Sequence, residues 1–295
     1  MQLRKLVLTL CAIGAFAISV HGWRLGRSEP VVHQARLAAA DWPTGAPLVR
    51  IVLLADLHLG NSSTDPARLE RIVSQVTDLE ADLILIAGDF VANYGFGGVQ
   101  HEAAELEHNL SKLRARYGTV AVMGNHDNLS APRLIAKALE RAGVTVLENS
   151  AVRRGPLIIG GAGDTVSGRA HFRGMFAQMQ QLATEMPGAR VYLSHSPDAV
   201  RWLPPGRALL FAGHTHCGQA SLPFVGPLMR VSRIYGNRFR CGLTRFGMKT
   251  IIVSGGIGTT YVPMRIGVPP DIWLISIGPA GQPKVGRKER PATDQ

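Results

Sequence analysis

Seven potential metal ligands stand directly after apolar, strand-like runs of this chain. The runs cover residues 51–55, 83–87, 120–123, 191–193 and 208–212, and the ligands that follow them are Asp56, His58, Asp89, Asn125, His195, His214 and His216. Such strand ends are expected to converge on one edge of a sheet. Carboxylate and amide oxygens together with imidazole nitrogens suit zinc, manganese and iron, and they can hold two ions side by side.

The spacing of these residues suits phosphate chemistry. Asp89 ends a strand of its own, so its carboxylate is available to bridge two ions. Two cations would clamp the oxygens of a phosphate and lower the pKa of a water that attacks phosphorus in line. Sharp turns beneath the ions are allowed by glycines at positions 88, 124 and 213. Two pairs can each face one ion, because side chains two residues apart share a face of a strand: Asp56 with His58, and His214 with His216.

His126 and Asp127 follow the ligand Asn125 and are candidates for catalysis rather than metal binding. By strand geometry, His126 points away from its neighbour Asn125. It is placed to donate a hydrogen bond or a proton to a phosphate or leaving-group oxygen. Asp127 has two interpretations: it orients the imidazole of His126, or it caps the turn that follows.

Together these blocks resemble the full motif set of the calcineurin-like metallophosphoesterase superfamily. The similarity spans residues 50–277, with five blocks in order: Asp56-x-His58, Gly88-Asp89, Gly124-Asn125-His126-Asp127, His195 and Gly213-His214-x-His216. The resemblance implies an α/β fold, a four-layer αββα sandwich of two mixed β-sheets flanked by helices. It also implies a dinuclear centre of two divalent or mixed-valence ions, which are manganese, zinc or iron.

The resemblance assigns a role to each residue. His126 takes the place of the catalytic histidine of the family, with Asp127 beside it. One ion would be held by Asp56, His58, Asp89 and His216. The other would be held by Asp89, Asn125, His195 and His214, so that the Asp89 carboxylate is shared.

In finer detail the chain resembles a membrane-associated bacterial branch of the superfamily. That branch includes phosphodiesterases and hydrolases that cleave the pyrophosphate bond of UDP-2,3-diacylglucosamine in lipid A synthesis. The shared segments are residues 194–198, 214–219, 254–258 and 263–265. The branch commonly has glycine where Cys217 stands here. A thiol therefore lies beside a ligand, and an effect of Cys217 on metal preference or oxidation sensitivity stays open.

An apolar run at residues 6–20 follows Arg4 and Lys5. Extended to Trp23, it approaches the roughly 20 residues that a membrane-spanning helix needs. One interpretation is an N-terminal anchor in the cell inner membrane, whose sidedness is open because arginines also follow the run. The other is a secretory signal that is cleaved near Ala17 and exports the protein.

Composition and charge narrow the protein class and its partners. The chain has 295 residues, 46% of them hydrophobic, which is ample for one large core or at most two. A formal net charge of +11 favours anionic partners such as phosphates, nucleic acid or an anionic membrane surface. Three cysteines do not make a disulfide framework. Cys217 and Cys241 could nevertheless pair if the protein is exported.

A basic, partly aromatic stretch has two interpretations. Its arginines form a rim for a second phosphate or a lipid headgroup, or they belong to a solvated face. The aromatic residues between them favour packing over nucleic-acid stacking, so nucleic acid is not the expected partner. The residues concerned are Arg230, Arg233, Arg238, Arg240 and Arg245, with Phe224, Tyr235 and Phe239 interleaved.

Strands alternate with helices from residue 48 onward, which predicts an α/β layered domain. Asp65 is expected to cap a helix that begins at Pro66. Helices are predicted at 66–79, 102–117, 132–141 and 172–185, and further strands at 144–147, 157–160, 251–254 and 272–277. The predicted organisation is an anchor or signal at 1–23, a connector at 24–47, a metallophosphoesterase domain at 48–280 and a polar basic tail at 281–295.

The leading functional hypothesis is a membrane-associated hydrolase of a phosphodiester or pyrophosphate, with UDP-2,3-diacylglucosamine as one lipid-linked candidate. The alternatives are a protein phosphatase or nuclease of the same superfamily, and a non-catalytic anchored binder of anionic polymers. The complete set of ligands beside His126 disfavours the binder. The natural substrate, the physiological metal and the oligomeric state stay open.

Overall fold

Strands and helices alternate along the chain in the computed structural model, which describes residues 2–92, 98–222, 225–228, 231–232 and 234–279. Within these residues the helices are α1 (Gln2–Gly26), α2 (Pro66–Asp78), α3 (Val99–Leu110), α4 (Asn125–Ser130), α5 (Pro132–Arg141) and α6 (Phe172–Glu185). The strands of the first half are β1 (Val31–Ala39), β2 (Val49–Leu54), β3 (Leu83–Ile86), β4 (Thr119–Val122), β5 (Val144–Leu147), β6 (Ser150–Arg154) and β7 (Leu157–Gly161). Those of the second half are β8 (Ala189–Leu193), β9 (Ala208–Ala212), β10 (Ser221–Leu222), β11 (Gly226–Pro227), β12 (Gly242–Phe246), β13 (Lys249–Val253) and β14 (Asp271–Pro279).

Most of the described strands form two mixed, six-stranded sheets. The first has the order β1-β14-β2-β3-β4-β5; strands β2 to β5 are parallel, and β14 is antiparallel to β2. The second has the order β12-β13-β9-β8-β7-β6, with parallel central strands and an antiparallel strand at each edge. The short strands β10 and β11 form a separate antiparallel ribbon.

The two sheets pack face to face, and helices cover the outer face of each. In β2, Ile51 and Leu53 lie in the core between the sheets, whereas Val52 and Leu54 pack toward α2, α3 and α5. This alternation follows from the two-residue period of a strand, and it explains why the strand is apolar on both faces. Ile158 of β7 lies in the outer core with α6. The αββα sandwich that the resemblance implied is confirmed.

The helices and strands that were predicted are all present, with shifts at some boundaries. Asp65 caps α2 as expected, since its Oδ1 accepts the N–H of Arg68 at 2.8 Å and Pro66 stands first in the helix. The helix predicted at 102–117 is α3, which starts earlier and ends at Leu110. After that residue, the N–H of Leu113 bonds to the carbonyl of Leu110 in a tighter turn.

The prediction of a connector at residues 24–47 is wrong in its central part, because β1 lies there. β1 pairs in parallel with β14, from Val31 with Asp271 to Ala39 with Pro279. Several of its side chains are exposed, as is usual for an edge strand, so the segment has no continuous apolar run. The predicted tail at 281–295 lies outside the described residues.

α1 continues beyond the predicted segment, to Gly26. Among the described helices it is the one that is long and apolar enough to cross a membrane, with a mean hydropathy of 1.8 and little burial. A signal sequence has the same length and composition. The end of the helix is tied to the domain, because Arg27 Nη2 donates to Asp65 Oδ2 at 2.8 Å.

Candidate metal centre

The ends of five strands bring the predicted ligands to one edge of the sandwich. β2, β3 and β4 end there in the first sheet, and β8 and β9 end there in the second. The loops bond to one another: the N–H of Asp56 donates to Gly88 O, and the N–H of Gly213 donates to His195 O, both at 2.9 Å. The N–H of His214 donates to Asp56 Oδ2 at 2.9 Å and joins the two sheets. All seven predicted ligands therefore lie in one cluster.

The backbone at this edge is strained. Five predicted ligands have left-handed backbones, with φ between 46° and 72°: Asp56, His58, Asp89, His214 and His216. Such conformations cost about 1–2 kcal/mol per residue and are typical of functional sites. Glycine fills two demanding positions. Gly88 has a φ of +83°, and a Cβ on Gly213 would lie 2.5 Å from Asp56 Oδ2. Gly88 therefore permits a turn, whereas Gly213 permits a close approach.

One group of ligand atoms surrounds the Nε2 atoms of His58 and His216. These two nitrogens are 3.1 Å apart. Asp56 Oδ1 lies 3.6 Å from His216 Nε2 and 4.0 Å from His58 Nε2. Asp89 Oδ2 completes the group at 3.6 Å from His58 Nε2. These are the four residues that the resemblance assigns to one ion.

A second group surrounds His195 Nε2. Asn125 Oδ1 lies 3.0 Å from this nitrogen, His214 Nδ1 lies 3.1 Å from it, and Asp89 Oδ2 lies 3.3 Å from it. The other ring nitrogen of His195 lies 2.7 Å from the carbonyl oxygen of Ala87. This carbonyl accepts the Nδ1–H, so Nε2 is the nitrogen that would bind an ion once its proton is displaced.

The spacing of these atoms fits divalent metal ions. Ligand atoms that are each about 2.1 Å from one ion lie about 3.0 Å apart at a right angle and about 3.4 Å apart at a tetrahedral angle. The separations given above run from 3.0 Å to 4.0 Å, and the longer ones correspond to wider angles at an ion. Imidazole nitrogens with carboxylate and amide oxygens also match the donors of zinc, manganese and iron. Asp89 Oδ2 is common to both groups.

The electrostatics of the cluster favour a cation. Burial raises the pKa of Asp56 to about 8, and it lowers the pKa of His58 to about 3 and that of His214 to about 4. Burial also opposes a charge on His195, but the adjacent Asp89 carboxylate outweighs it and raises the pKa of His195 to about 10. Buried carboxylates are costly unless a cation compensates them. The lowered pKa values keep His58 and His214 in the neutral form that binds metal, and a cation that binds at His195 would displace the proton that Asp89 stabilises there.

His126 lies at the margin of both groups. The backbone N–H of His126 donates to Asp89 Oδ1 at 2.9 Å. The centre of its ring lies 4.6 Å from that of His58 in an edge-on contact. His126 lines both cavities at the cluster, one of about 400 Å³ and one of about 240 Å³. His126, His58 and Asp89 each offer one ligand atom, and these three atoms lie within 4.8 Å of one another. They form a third group that could hold a metal ion. The catalytic assignment of His126 stays a prediction.

Asp127 accepts backbone N–H groups through both of its carboxylate oxygens. Its Oδ2 accepts the N–H groups of Asp89 and Gly124, each at 2.9 Å. Its Oδ1 accepts the N–H of Phe90 at 2.8 Å and that of Val91 at 3.2 Å. Both oxygens thus join two ligand-bearing loops. The carboxylate is engaged by the backbone of these preceding residues, and its assignment to catalysis beside His126 stays a prediction.

Replacing Asp127 with alanine should therefore destabilise the fold. The change leaves four buried N–H groups without their acceptor, and each such loss costs about 1–3 kcal/mol. We expect the free energy of unfolding to fall by at least about 3 kcal/mol, measured by thermal unfolding of the detergent-solubilised protein. Asp127→Asn keeps one acceptor oxygen and should lose less. An unchanged melting temperature with lost turnover would support the orienting role.

Two groups at the site were not predicted from the sequence. Thr260 Oγ1 lies 2.9 Å from His216 Nε2. The buried guanidinium of Arg265 donates through Nη2 to the carbonyls of the glycine-rich loop that follows β13, at Gly255, Gly256 and Gly258. Arg265 therefore fixes the loop beneath Asp56, since the N–H of Gly258 donates to Asp56 O at 2.7 Å. The segment 263–265 carried a family resemblance but no chemical role.

Cys217 and the basic stretch are engaged elsewhere. A disulfide joins Cys217 to Cys241, so the sulfur beside His216 is taken up by a covalent bond. The guanidinium of Arg238 lies 4.5 Å from the ring centre of Phe246. Arg240 donates a hydrogen bond to Ser221 Oγ. Arg245 is exposed on β12. These three fit the solvated-face interpretation. Phe224, Arg230 and Arg233 lie outside the described residues.

Comparison with known proteins agrees with this geometry. The model of the calcineurin-like phosphoesterase family matches residues 49–218. The uncharacterized metallophosphoesterase YkuE of Bacillus subtilis (strain 168) is 28% identical over 242 residues, which cover 80% of this chain and 81% of that protein. Phosphodiesterase YaeI of Escherichia coli (strain K12) is 28% identical over 238 residues, which cover 77% and 82% respectively. A transmembrane protein with metallophosphoesterase domain of Danio rerio is 28% identical over 277 residues, which cover 89% of this chain and 60% of that relative.

The family match includes the whole cluster. Residues 49–218 are more than half of the chain, and they contain all seven candidate ligands together with His126. The fold, the order of the motifs and their convergence at one sheet edge are consistent with this match. The chain belongs to the calcineurin-like phosphoesterase family and is a metal-dependent phosphoesterase.

Proposed function

We propose that the protein hydrolyses a phosphodiester or pyrophosphate at a dinuclear centre. The observation that carries this proposal is the position of Asp89 Oδ2, which lies 3.6 Å from His58 Nε2 and 3.3 Å from His195 Nε2. One carboxylate oxygen is thus offered to two buried groups of ligands. When bound, two cations supply polarisation of the phosphate and a water of lowered pKa as nucleophile.

The residues of the chain hold and orient the substrate. The cavities at the cluster admit a phosphate group between the ligand edge and His126. A hydrogen bond from His126 to a phosphate oxygen holds the group in place, and a proton from its imidazole stabilises the departing oxygen. The bond from the backbone N–H of His126 to Asp89 Oδ1 places the backbone of His126 beside both groups.

A protein phosphatase or nuclease uses the same centre and is the alternative enzyme class. The non-catalytic binder is disfavoured because His126 and the full ligand set lie together. A turnover screen with added Mn²⁺ separates these functions, using bis-p-nitrophenyl phosphate, p-nitrophenyl phosphate, UDP-2,3-diacylglucosamine and oligonucleotides. We expect diesters or pyrophosphates to exceed the monoester. Binding of polyanions without turnover of any of these substrates would contradict the proposal.

We also propose that α1 anchors the protein in the inner membrane. Deleting residues 1–19 should release the protein into the soluble fraction and leave bound metal and turnover of the soluble diester intact. Gly22 and Arg27 must stay, because Gly22 O accepts the N–H of Arg265 at 2.9 Å and Arg27 pairs with Asp65. Fractionation before and after a high-salt wash measures the release. Full-length protein that is soluble and shortened near Ala17 would favour the cleaved signal instead.

We place the catalytic domain on the oxidising side of the membrane, because structural disulfides persist in oxidising compartments. Maleimide–polyethylene glycol added to SDS-denatured, acid-quenched cells should label Cys11 alone before reduction and all three cysteines after it. The double change Cys217→Ser and Cys241→Ser should lower the stability of the purified protein by about 3 kcal/mol. Labelling of all three cysteines without reduction would contradict this placement.

A further inference from the structure

We propose that residues 259–265, here called the mouth loop, lie in the membrane interface, so that the metal centre opens toward the bilayer and takes a phosphate in a lipid headgroup. This inference rests on the anchored phosphodiesterase proposed above. It adds an orientation of the site relative to the membrane and a substrate class that follows from that orientation.

The end of α1 packs directly on the mouth loop. The N–H of Arg265 donates to Gly22 O at 2.9 Å. A Cβ on Gly22 would lie 3.1 Å from Arg265 O, and a Cβ on Gly26 would lie 3.5 Å from the Cα of Met264. The two glycines are four residues apart and share a face of the helix. Close approach on this face sets the loop at the level of the last turns of α1.

That level is where the helix passes from apolar to polar surroundings. The exposed apolar side chains of α1 run from Leu3 to Ile18, and Trp23 is the last of them. Trp23 is 46% exposed, with the guanidinium of Arg27 lying 5.3 Å from its ring centre. Tryptophan followed by arginine is typical of the membrane–water interface. The mouth loop therefore lies beside the interfacial part of the helix.

The orientation of the helix is fixed by the domain itself. Arg27 is bonded to Asp65 at the start of α2. The buried Arg68 donates through Nη2 to Ser28 O at 2.9 Å. These contacts hold the end of α1 against the catalytic domain, so a bilayer around α1 faces a fixed side of that domain.

The same side exposes further apolar surface. Tyr261 is 77% exposed and Val262 is 48% exposed, both within the mouth loop. The β10–β11 ribbon adjoins it, because the N–H of Ser221 donates to Ile266 O at 2.9 Å, and the ribbon exposes Val225 and Leu228. Aromatic and aliphatic side chains beside an anchoring helix match the composition of interfacial protein surfaces. We therefore take the bilayer to cover this surface.

The mouth loop is also part of the wall of the metal centre. Thr260 bonds to the ligand His216, and its neighbour Tyr261 is exposed. Thr260 and Tyr261 line both cavities that contain His126. Tyr261 on the membrane-facing surface is thus the sequence neighbour of Thr260, which contacts the candidate metal ligand His216. A phosphate at headgroup level can enter the site, whereas a folded phosphoprotein or a nucleic-acid duplex would have to displace the bilayer.

The first test places a fluorophore on the mouth loop of the full-length protein. Bimane is attached to Val262→Cys in a Cys11→Ser background, and Met248→Cys serves as the matched control. Met248 is 63% exposed in the turn between β12 and β13. This turn lies at the opposite end of β13 from the glycine-rich loop at the metal centre. Both proteins are reconstituted in phosphatidylethanolamine–phosphatidylglycerol vesicles with or without headgroup and shallow-chain nitroxide lipids. Val225→Cys provides a second position if the first variant does not fold.

We expect nitroxide lipids to quench bimane at position 262 at least about threefold more than at position 248. Equal, weak quenching at both positions would overturn the proposal. Emission changes that follow protein concentration instead of lipid would overturn it in favour of a second copy of the chain on this face. Because Val262 lines the cavity that contains His126, turnover of bis-p-nitrophenyl phosphate is measured on the unlabelled full-length protein in the same vesicles. Quenching at position 262 together with no turnover of the unlabelled protein would refute the proposed enzyme function while supporting the orientation.

The second test addresses the substrate class with two diesters that share one leaving group. The hexadecyl and methyl esters of p-nitrophenyl phosphate differ only in the alkyl chain, and the hexadecyl chain partitions into vesicles. We expect kcat/KM for the vesicle-borne hexadecyl ester to exceed that for the methyl ester by at least about 10-fold. The protein lacking residues 1–19 should lose most of this preference. An equal or lower rate for the hexadecyl ester would overturn the lipid assignment.

Discussion

Replacing Asp89 with asparagine should abolish turnover and lower the bound metal. Asp89 Oδ2 is the atom that lies near both His58 Nε2 and His195 Nε2, so its charge is the one offered to both groups of ligands. Loss of residues that merely support metal ligands costs about 10–100-fold. We expect the loss of a shared ligand to exceed this range, with at least about a 10³-fold decrease in kcat. Metal analysis of the purified variant and a diester assay measure the two effects.

Asp164 is a matched control for this change. It is a buried aspartate shortly after β7, and its oxygens accept the N–H groups of Val166 and Ser167 within its own turn. Asparagine keeps one of these two bonds through its amide oxygen and removes the negative charge, as it does at position 89. Asp164→Asn should therefore keep the metal and most of the turnover. Two tightly held ions and near-normal turnover in Asp89→Asn would refute the shared-ligand assignment.

Replacing His126 with alanine should keep the metal and remove most of the turnover. Two groups of four ligands are complete without this residue, and His126 lines both cavities where a substrate phosphate would lie. A positioned proton donor contributes about 10²–10⁴-fold, and we expect a loss in this range for a diester with an alkoxide leaving group. The loss should shrink for a p-nitrophenyl leaving group, which departs without a proton.

The dependence on the leaving group separates this role from a structural one. A variant that only disturbs the cavity should slow both kinds of diester equally. Because His126 is also within reach of His58 and Asp89 as a metal ligand, bound metal must be measured on the same sample. A collapse of metal content in His126→Ala would identify the residue as a ligand and would overturn its catalytic assignment.

The convergence of the seven candidate ligands could be predicted because each follows a buried strand. The strands β2, β3 and β4 contain continuous apolar runs, and parallel strands place their ends at one edge. The order of the motifs indicated the family, and the family in turn implied the four-layer fold. The spacing of the motifs was therefore sufficient to predict which side chains come together at the site.

The role of Asp127 could not be predicted in the same way. Its carboxylate binds the N–H groups of residues 89–91, which depends on how the loop after β3 turns in space. Thr260 likewise reaches His216 through a loop more than 40 residues further along the chain. Neither contact has a local sequence pattern, because both are made between loops from distant segments.

The elements missed in the fold include edge strands of both large sheets as well as α4 and the β10–β11 ribbon. β1 and β6 are only partly buried and carry arginine, and β1 pairs with a strand about 240 residues later in the sequence. A half-exposed strand needs no continuous apolar run, so its sequence resembles that of a connector. Only the partner β14, which was predicted, shows where β1 belongs.

The claim that two ions act together is tested most directly by titrating metal-stripped protein with Mn²⁺. Bound metal and hydrolysis of bis-p-nitrophenyl phosphate are followed on the same samples. The structure predicts saturation at two ions per chain, with turnover that rises only as the second ion binds, because the groups around His58 and His195 share Asp89. Full turnover with one ion per chain, or in the metal-free protein, would contradict it.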